Sequence, residues 1–169
     1  MPIPKNLICF LHGKKTGPEC DQIKILSKTA LKKGYEVLST DFTTTVDPDE
    51  RLEMLLEVSP KAIKNLVLVG LSMGSYAAAV ASKTLKPRGM FLLSSAFYLQ
   101  GYAHQDPVPI AEYTTLVHGW NDTVVPVENA INFARKHQTE LIVLNTDHFL
   151  EGAMPRIDSI FSTFLEQLQ

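Results

Sequence analysis

Cysteine is nearly absent from this chain. Cys9 and Cys20 are the only two in 169 residues, too few for a disulfide framework and without metal-ligand spacing. They fit a reducing compartment. Cys9 sits inside an apolar run and reads as a small buried hydrophobe, because a reactive thiol wants an accessible, electropositive site. An excess of one charge is also missing. Sixteen Lys and Arg against 18 Asp and Glu leave a net charge of -2, which provides no basic surface for nucleic acid. No apolar run approaches the roughly 18 residues that cross a bilayer, so no membrane contact is expected. The segment Met1-Pro2-Ile3-Pro4-Lys5 does not read as a secretory signal, and the apolar run after it lacks a cleavage pattern. The expected address is the cytoplasm. Repeats, low-complexity stretches and linkers are absent too. With 45% hydrophobic and 20% charged residues, general disorder is excluded. The expectation is one domain over 1–169 with one substantial core.

What is present is alternation. Leu7–Leu11 is a continuous apolar run, as in a buried parallel strand, and it ends at His12-Gly13. Ile23, Leu26 and Ala30 follow at helical spacing, with a stop at Gly34. Tyr35–Phe42 reads as a second strand. Asp47-Pro48 opens a helix carrying Leu52, Leu55 and Leu56. Leu66–Val69 is the third strand, and a helix rich in small residues, Ala77 to Leu85, ends before Pro87. Met90–Leu93, Thr114–Val117 and Leu141–Leu144 complete six strands. Helical stripes at Val127, Ala130, Ile131 and Ala134, and from Ile157 to Leu168, lie around them. This order predicts an α/β fold, an open, mostly parallel six-stranded sheet with helices on both faces. One connection, 94–112, is long and loop-like.

In open α/β sheets, ligands bind beyond the carboxyl ends of the strands. The third strand runs into Gly70-Leu71-Ser72-Met73-Gly74 and then a helix. This is G-x-S-x-G in its strand–turn–helix context, where the glycines permit a sharp turn that lifts the serine clear of the sheet. The Met73 N–H, at the first helical turn, can face a developing oxyanion. After the fifth strand comes His118-Gly119-Trp120-Asn121-Asp122, and after the sixth Asp147-His148. The chain order Ser72, Asp122, His148 is that of nucleophile, acid and base on a parallel sheet. Asp147 competes as the acid, but neighbours in an extended segment point apart, which favours Asp122. A second oxyanion donor is expected from the Lys14 N–H, after the His12-Gly13 pair. His12 is expected to orient that loop through its ring nitrogens.

These motifs together resemble the α/β-hydrolase superfamily in a minimal, lid-poor, single-domain form. The resemblance spans Leu7 to the final helix and rests on four segments. These are the His12-Gly13 turn, the Gly70–Gly74 elbow, the His118-Gly-x-x-Asp122-x-x-Val125-Pro126 segment and Asp147-His148. Compared with larger members, two leading antiparallel strands and a helical cap are missing. That absence leaves the pocket open or shaped by the loop 94–112, and argues against large lipid substrates.

The expected activity is hydrolysis of a carboxylic ester by Ser72, His148 and Asp122, with a small-molecule ester or thioester as partner and no metal or organic cofactor. Phe97, Tyr98 and Tyr102 are expected to bind the substrate's apolar part. His104 could touch it. Lys14 and Lys15 could draw an anionic substrate or be solvated surface, and Thr43–Thr45 could line the pocket or form a turn capped at Asp47. His118 is expected to bond within its own turn, and His137 to act as a cation at a helix end. The same triad would serve an acyl-thioesterase or acyltransferase. A catalytically inert binding protein on this fold would usually lack a triad member. Nucleotide binding is disfavoured, because a phosphate loop needs Gly where Ile8 stands. Oligomeric state is not legible.

Overall fold

The computed structural model describes residues 2–169. Six strands alternate with five helices: β1 (Asn6–Leu11), α1 (Asp21–Lys32), β2 (Glu36–Thr40), α2 (Pro48–Val58), β3 (Asn65–Leu71), α3 (Met73–Leu85), β4 (Gly89–Leu93), β5 (Tyr113–Gly119), α4 (Val127–His137), β6 (Glu140–Leu144) and α5 (Met154–Gln167). All neighbouring strands pair in parallel, in the order β2-β1-β3-β4-β5-β6. This is the open α/β sheet expected from the alternation. None of the described helices is long and apolar enough to cross a membrane.

Period-two alternation divides the core into two layers. Leu7, Cys9 and Leu11 of β1 face α2, α3 and α4, packing with Leu52, Leu55, Ala77, Ala78 and Phe133. Ile8 and Phe10 face α1 and α5, with Ile23, Leu26, Ile157 and Phe161. Both faces of β1 and β3 are covered, so these strands read as unbroken apolar runs rather than alternating ones. The α2 helix starts where the turn chemistry demands. Asp47 Oδ1 accepts the N–H groups of Asp49 and Glu50 at 2.8 and 3.0 Å, and Pro48 occupies the first turn.

Strand limits differ from the apolar runs for identifiable reasons. β3 continues through Gly70 to Leu71, and β5 through His118 to Gly119. Ladder bonding needs only backbone groups, and Gly and His supply them. β2 is shorter than Tyr35–Phe42. The Tyr35 N–H closes α1 on Ala30 O at 3.1 Å, while Asp41 Oδ1 accepts the Thr43 N–H in a local turn. Both ends are thereby taken from the ladder.

The chain leaves β1 for β2 on one side and then places β3, β4, β5 and β6 on the other. The order reverses between β1 and β3, which opens a crevice beyond their carboxyl ends. Gly13 and Ser72 lie there.

Candidate active site

Ser72 links β3 directly to α3, with φ 52° and ψ -111°. That backbone conformation is strained for a residue with a Cβ. It is held by three main-chain bonds: Ser72 N–H donates to Leu93 O at 2.8 Å, and Ser72 O accepts the N–H groups of Ser75 at 3.0 Å and Ala96 at 3.1 Å. The flanking glycines are required by close approach. A Cβ on Gly74 would stand 1.9 Å from Leu11 O, and one on Gly70 would stand 2.5 Å from Ser75 Cα. Between buried Leu71 and Met73, the Ser72 side chain stays partly accessible.

The loops beyond β5 and β6 bring Asp122 and His148 to this serine. Ser72 Oγ lies 3.0 Å from His148 Nε2, and His148 Nδ1 lies 2.7 Å from Asp122 Oδ2. Burial raises the Asp122 pKa, but hydrogen bonds from His118, His148 and the Val125 and Val124 N–H groups outweigh it. The carboxyl is held well below the ordinary 3.8. An ionised carboxylate only accepts, so His148 Nδ1 carries the proton and Nε2 is free to accept from the Ser72 hydroxyl. Asp147 takes no part. Its Oδ1 accepts the Glu151 N–H at 3.2 Å in a surface turn.

His118 bonds within its own turn, as the sequence suggests, and also does more. Its Nε2–H points at both Val125 O (3.0 Å) and Asp122 Oδ2 (3.1 Å). Asp122 Oδ1 accepts the Val124 and Val125 N–H groups, each at 2.8 Å. The carboxylate thus gathers four N–H donors and is fixed in place. The i,i+4 spacing of His118 and Asp122 was the sequence signal for this contact.

Beyond β1, His12 is fully buried and bonds through both ring nitrogens, Nε2 to the Phe42 N–H at 2.9 Å and Nδ1 to Gly13 O at 2.8 Å. Because Nε2 accepts, Nδ1 must be the protonated nitrogen. Burial lowers the His12 pKa, consistent with a neutral ring. Within the described residues, no protein group accepts from the N–H of Lys14 or of Met73. Arg51, for which the sequence pattern indicates no role, is buried and donates to the His12 and Gly13 carbonyls. Its signal was an arginine on the apolar stripe of α2, one turn from Leu55.

A cavity of about 280 Å³ opens over Ser72 and His148, lined chiefly by apolar side chains including Leu71, Leu93, Leu99, Val125 and Leu150. Of the three aromatics expected at the substrate, Tyr102 lines it and the other two do not. Phe97 is fully buried and stacks on Phe133 at 4.1 Å between centroids, while Tyr98 packs on the same ring at 6.5 Å. They anchor the start of the 94–112 loop to α4 instead. Leu99, Gln100 and Tyr102 from that loop shape one wall, and Lys14 and Lys15 lie at the rim. Thr43–Thr45 stay outside, with Thr45 supporting the α2 cap. His104 is exposed; its backbone N–H donates to Tyr76 Oη at 3.1 Å and its ring tilts against the Tyr76 ring at 6.3 Å, outside the cavity lining. His137 corrects the expected helix-end cation. Packed on Phe133 at 4.6 Å, it has its pKa lowered by burial. Among the described residues, no group of three His, Cys, Asp or Glu side chains converges to hold a metal.

The same architecture recurs in solved structures. A Xanthomonas campestris chain assigned to the α/β superfamily of hydrolases is 26% identical, with a TM-score of 0.87, over 98% of this chain and 100% of its own. This chain has the α/β-hydrolase fold. A second Xanthomonas campestris structure, a serine hydrolase without a lid, is 14% identical with a TM-score of 0.81, over 99% of this chain and 84% of its own. An esterase from Pyrococcus furiosus is 19% identical with a TM-score of 0.79, over 98% and 84%. No family model and no curated protein matches the sequence. This instance of the α/β-hydrolase fold has six strands among the described residues, all parallel.

Proposed function

We propose that this α/β-hydrolase is a serine hydrolase that cleaves carboxylic esters of small or medium acyl groups. The observation that carries the reading is the chain of contacts from Ser72 Oγ to His148 Nε2 at 3.0 Å and from His148 Nδ1 to Asp122 Oδ2 at 2.7 Å, on the wall of a mainly apolar cavity. The cavity's size, about 280 Å³, stands at the lower end of small-molecule sites. That suits a short or medium acyl chain or one aromatic ring.

In this reading, Ser72 Oγ attacks the acyl carbon while His148 Nε2 takes its proton. Asp122 keeps the imidazole in the required tautomer and stabilises the imidazolium. The Lys14 and Met73 N–H groups donate to the oxyanion of the tetrahedral intermediate. Collapse breaks the ester C–O bond, and His148 returns the proton to the departing alcohol. Water then attacks the acyl-enzyme, gives its proton to His148 and releases the carboxylic acid; the proton returns to Ser72 Oγ. A thioester presents its carbonyl to the same groups, so ester and thioester of one acyl group are compared in the test.

The test is hydrolysis of p-nitrophenyl esters from acetate to decanoate, with the matching thioesters, by wild type and Ser72→Ala. Turnover of the shorter esters by wild type and its loss in the variant is the expected result. Equal rates for the two proteins would overturn the assignment, and thioester-only turnover would move the substrate class.

A further inference from the structure

Arg51 on α2 is 1% exposed, yet no carboxylate among the described residues lies within ion-pair distance of it. Asp41 acts on it only from beyond contact distance; a buried guanidinium with no carboxylate in contact is costly, and a helix that only needed to pack would do better with an apolar residue there. Its donors go to main-chain carbonyls. Nε donates to Thr45 O at 3.1 Å, and Nη1 donates to His12 O at 3.2 Å and Gly13 O at 3.0 Å. The group also lies over the Phe42 ring, 5.6 Å from its centroid.

Gly13 O is the focus of this arrangement. Besides Arg51, it accepts His12 Nδ1–H at 2.8 Å and, at longer range, the Thr16 hydroxyl at 3.4 Å and the Thr16 N–H at 3.5 Å. The Gly13–Lys14 peptide is trans. In a planar trans peptide, the carbonyl and the following N–H point in opposite directions. Fixing Gly13 O toward Arg51 therefore aims the Lys14 N–H the other way. The cavity is lined by Gly13, Lys14, Thr16 and Ser72 but not by Arg51 or His12, so the Arg51 side of the peptide is the side away from it. Gly13 is close to the nucleophile, since a Cβ built on it would be 3.5 Å from Ser72 Cβ. A peptide whose carbonyl accepts a charge-assisted bond is also polarised, which makes its N–H a stronger donor.

We propose that Arg51 is a positioning residue for the oxyanion site: it grips the Gly13 carbonyl from behind and thereby aims and strengthens the Lys14 N–H facing Ser72. The inference rests on the Ser72 reading above. It goes beyond that reading by assigning part of transition-state stabilisation to a buried cation that never touches substrate. A purely structural Arg51 would instead fasten α2 to the β1 loop and affect stability alone.

The experiment compares wild type, Arg51→Met and Arg51→Lys on a p-nitrophenyl ester and on its thionoester, whose sulfur fits poorly among donors set for oxygen. Loss of one oxyanion donor costs about 100- to 1,000-fold in kcat. A misaimed donor should cost roughly 10- to 100-fold, with KM changed by less than about threefold. Arg51→Met is expected to show that loss on the ester and a smaller one on the thionoester, with the pH midpoint unmoved. Arg51→Lys keeps the charge but not the fork, and should fall between. Should Arg51→Met fail to fold, Arg51→Lys carries the same comparison. A readout independent of turnover is the amide nitrogen resonance of Lys14, which should shift in either variant while that of Met73 stays in place. Near-wild-type kcat with an unmoved Lys14 resonance would overturn the proposal, as would equal losses on ester and thionoester. If wild type turns over neither ester nor thioester, the Ser72 reading fails, and the Lys14 resonance alone decides whether Arg51 sets that peptide.

Discussion

His118 and Asp122 are joined by a buried contact of 3.1 Å between Nε2 and Oδ2, on the same oxygen that faces His148 Nδ1 at 2.7 Å. Two imidazoles therefore share one carboxylate oxygen, and two main-chain N–H groups hold the other. An acid bound this way cannot swing away from His148 or take up a proton near neutrality. The proposed mechanism asks both of Asp122.

Asparagine at position 122 can turn its NH2 toward His148 Nδ1, which moves the ring proton to Nε2 and leaves no acceptor for the Ser72 proton. Asp122→Asn should lower kcat by about 1,000- to 10,000-fold, the scale seen when a triad loses the group that sets its tautomer. Asp147→Asn, which alters only a surface turn, should stay within about threefold of wild type. Steady-state kinetics on both variants checks the ranking, and the reverse order would reassign the acid.

The pH profile follows from which group titrates. Only the neutral His148 ring accepts the Ser72 proton, so kcat/KM should rise with pH on the acid side. Asp122 is held well below the ordinary 3.8 and stays ionised throughout. One proton then governs the limb, and log(kcat/KM) should climb with a slope near 1 rather than 2. The same depressed carboxyl contributes stability that is whole above its unfolded value and lost as pH falls through its folded one. The stability gap between wild type and Asp122→Asn should therefore hold on the neutral side and narrow below about pH 4. Denaturant melts at several pH values measure it; a gap that widens toward acid would contradict the assignment.

Backbone strain at Ser72 separates stability from activity. Its φ of 52° is unfavourable for alanine and acceptable for glycine. Ser72→Gly should be more stable than Ser72→Ala by about 1 kcal/mol, after allowing for glycine's looser unfolded chain. Both variants should lack ester turnover. Equal melting curves would mean the elbow stores no strain.

The two cysteines should differ sharply in reactivity. Burial raises the Cys9 pKa from 9.0 to about 11, with a weaker opposing effect from its contact with Thr40, so little thiolate forms at pH 8. Cys20 is only partly buried. Iodoacetamide on the native protein should add one group, at Cys20, and a second only after unfolding. Intact mass reads this directly, and two rapid native adducts would refute it.

Much of this arrangement was legible in the residues. Alternating apolar runs and helical stripes indicate the six-stranded parallel sheet, and the residues after strands β3, β5 and β6 indicate which side chains the fold brings together. The misreadings share a physical cause. Aromatics in a long loop look available, which points Phe97 and Tyr98 to the pocket, yet the ring of Phe133, which they pack against, lies 36 residues away from Phe97. The helix end around His137 favours a cation, while burial against Phe133 pulls its pKa down. Arg51 is invisible to periodicity arguments, which count apolar residues, and two of the three carbonyls it grips lie 38 and 39 residues away. Local pattern indicates which elements form; it does not reveal which distant backbone a buried side chain will meet.

The central claim is that Ser72 is an activated nucleophile. Its most direct test is intact-mass analysis of wild type and Ser72→Ala side by side after treatment with a fluorophosphonate. The account predicts one adduct on wild type, mapped to Ser72, and none on the variant. An unlabelled, well-folded wild type, or an adduct that persists in Ser72→Ala, would contradict it and bring forward a binding protein built on this fold.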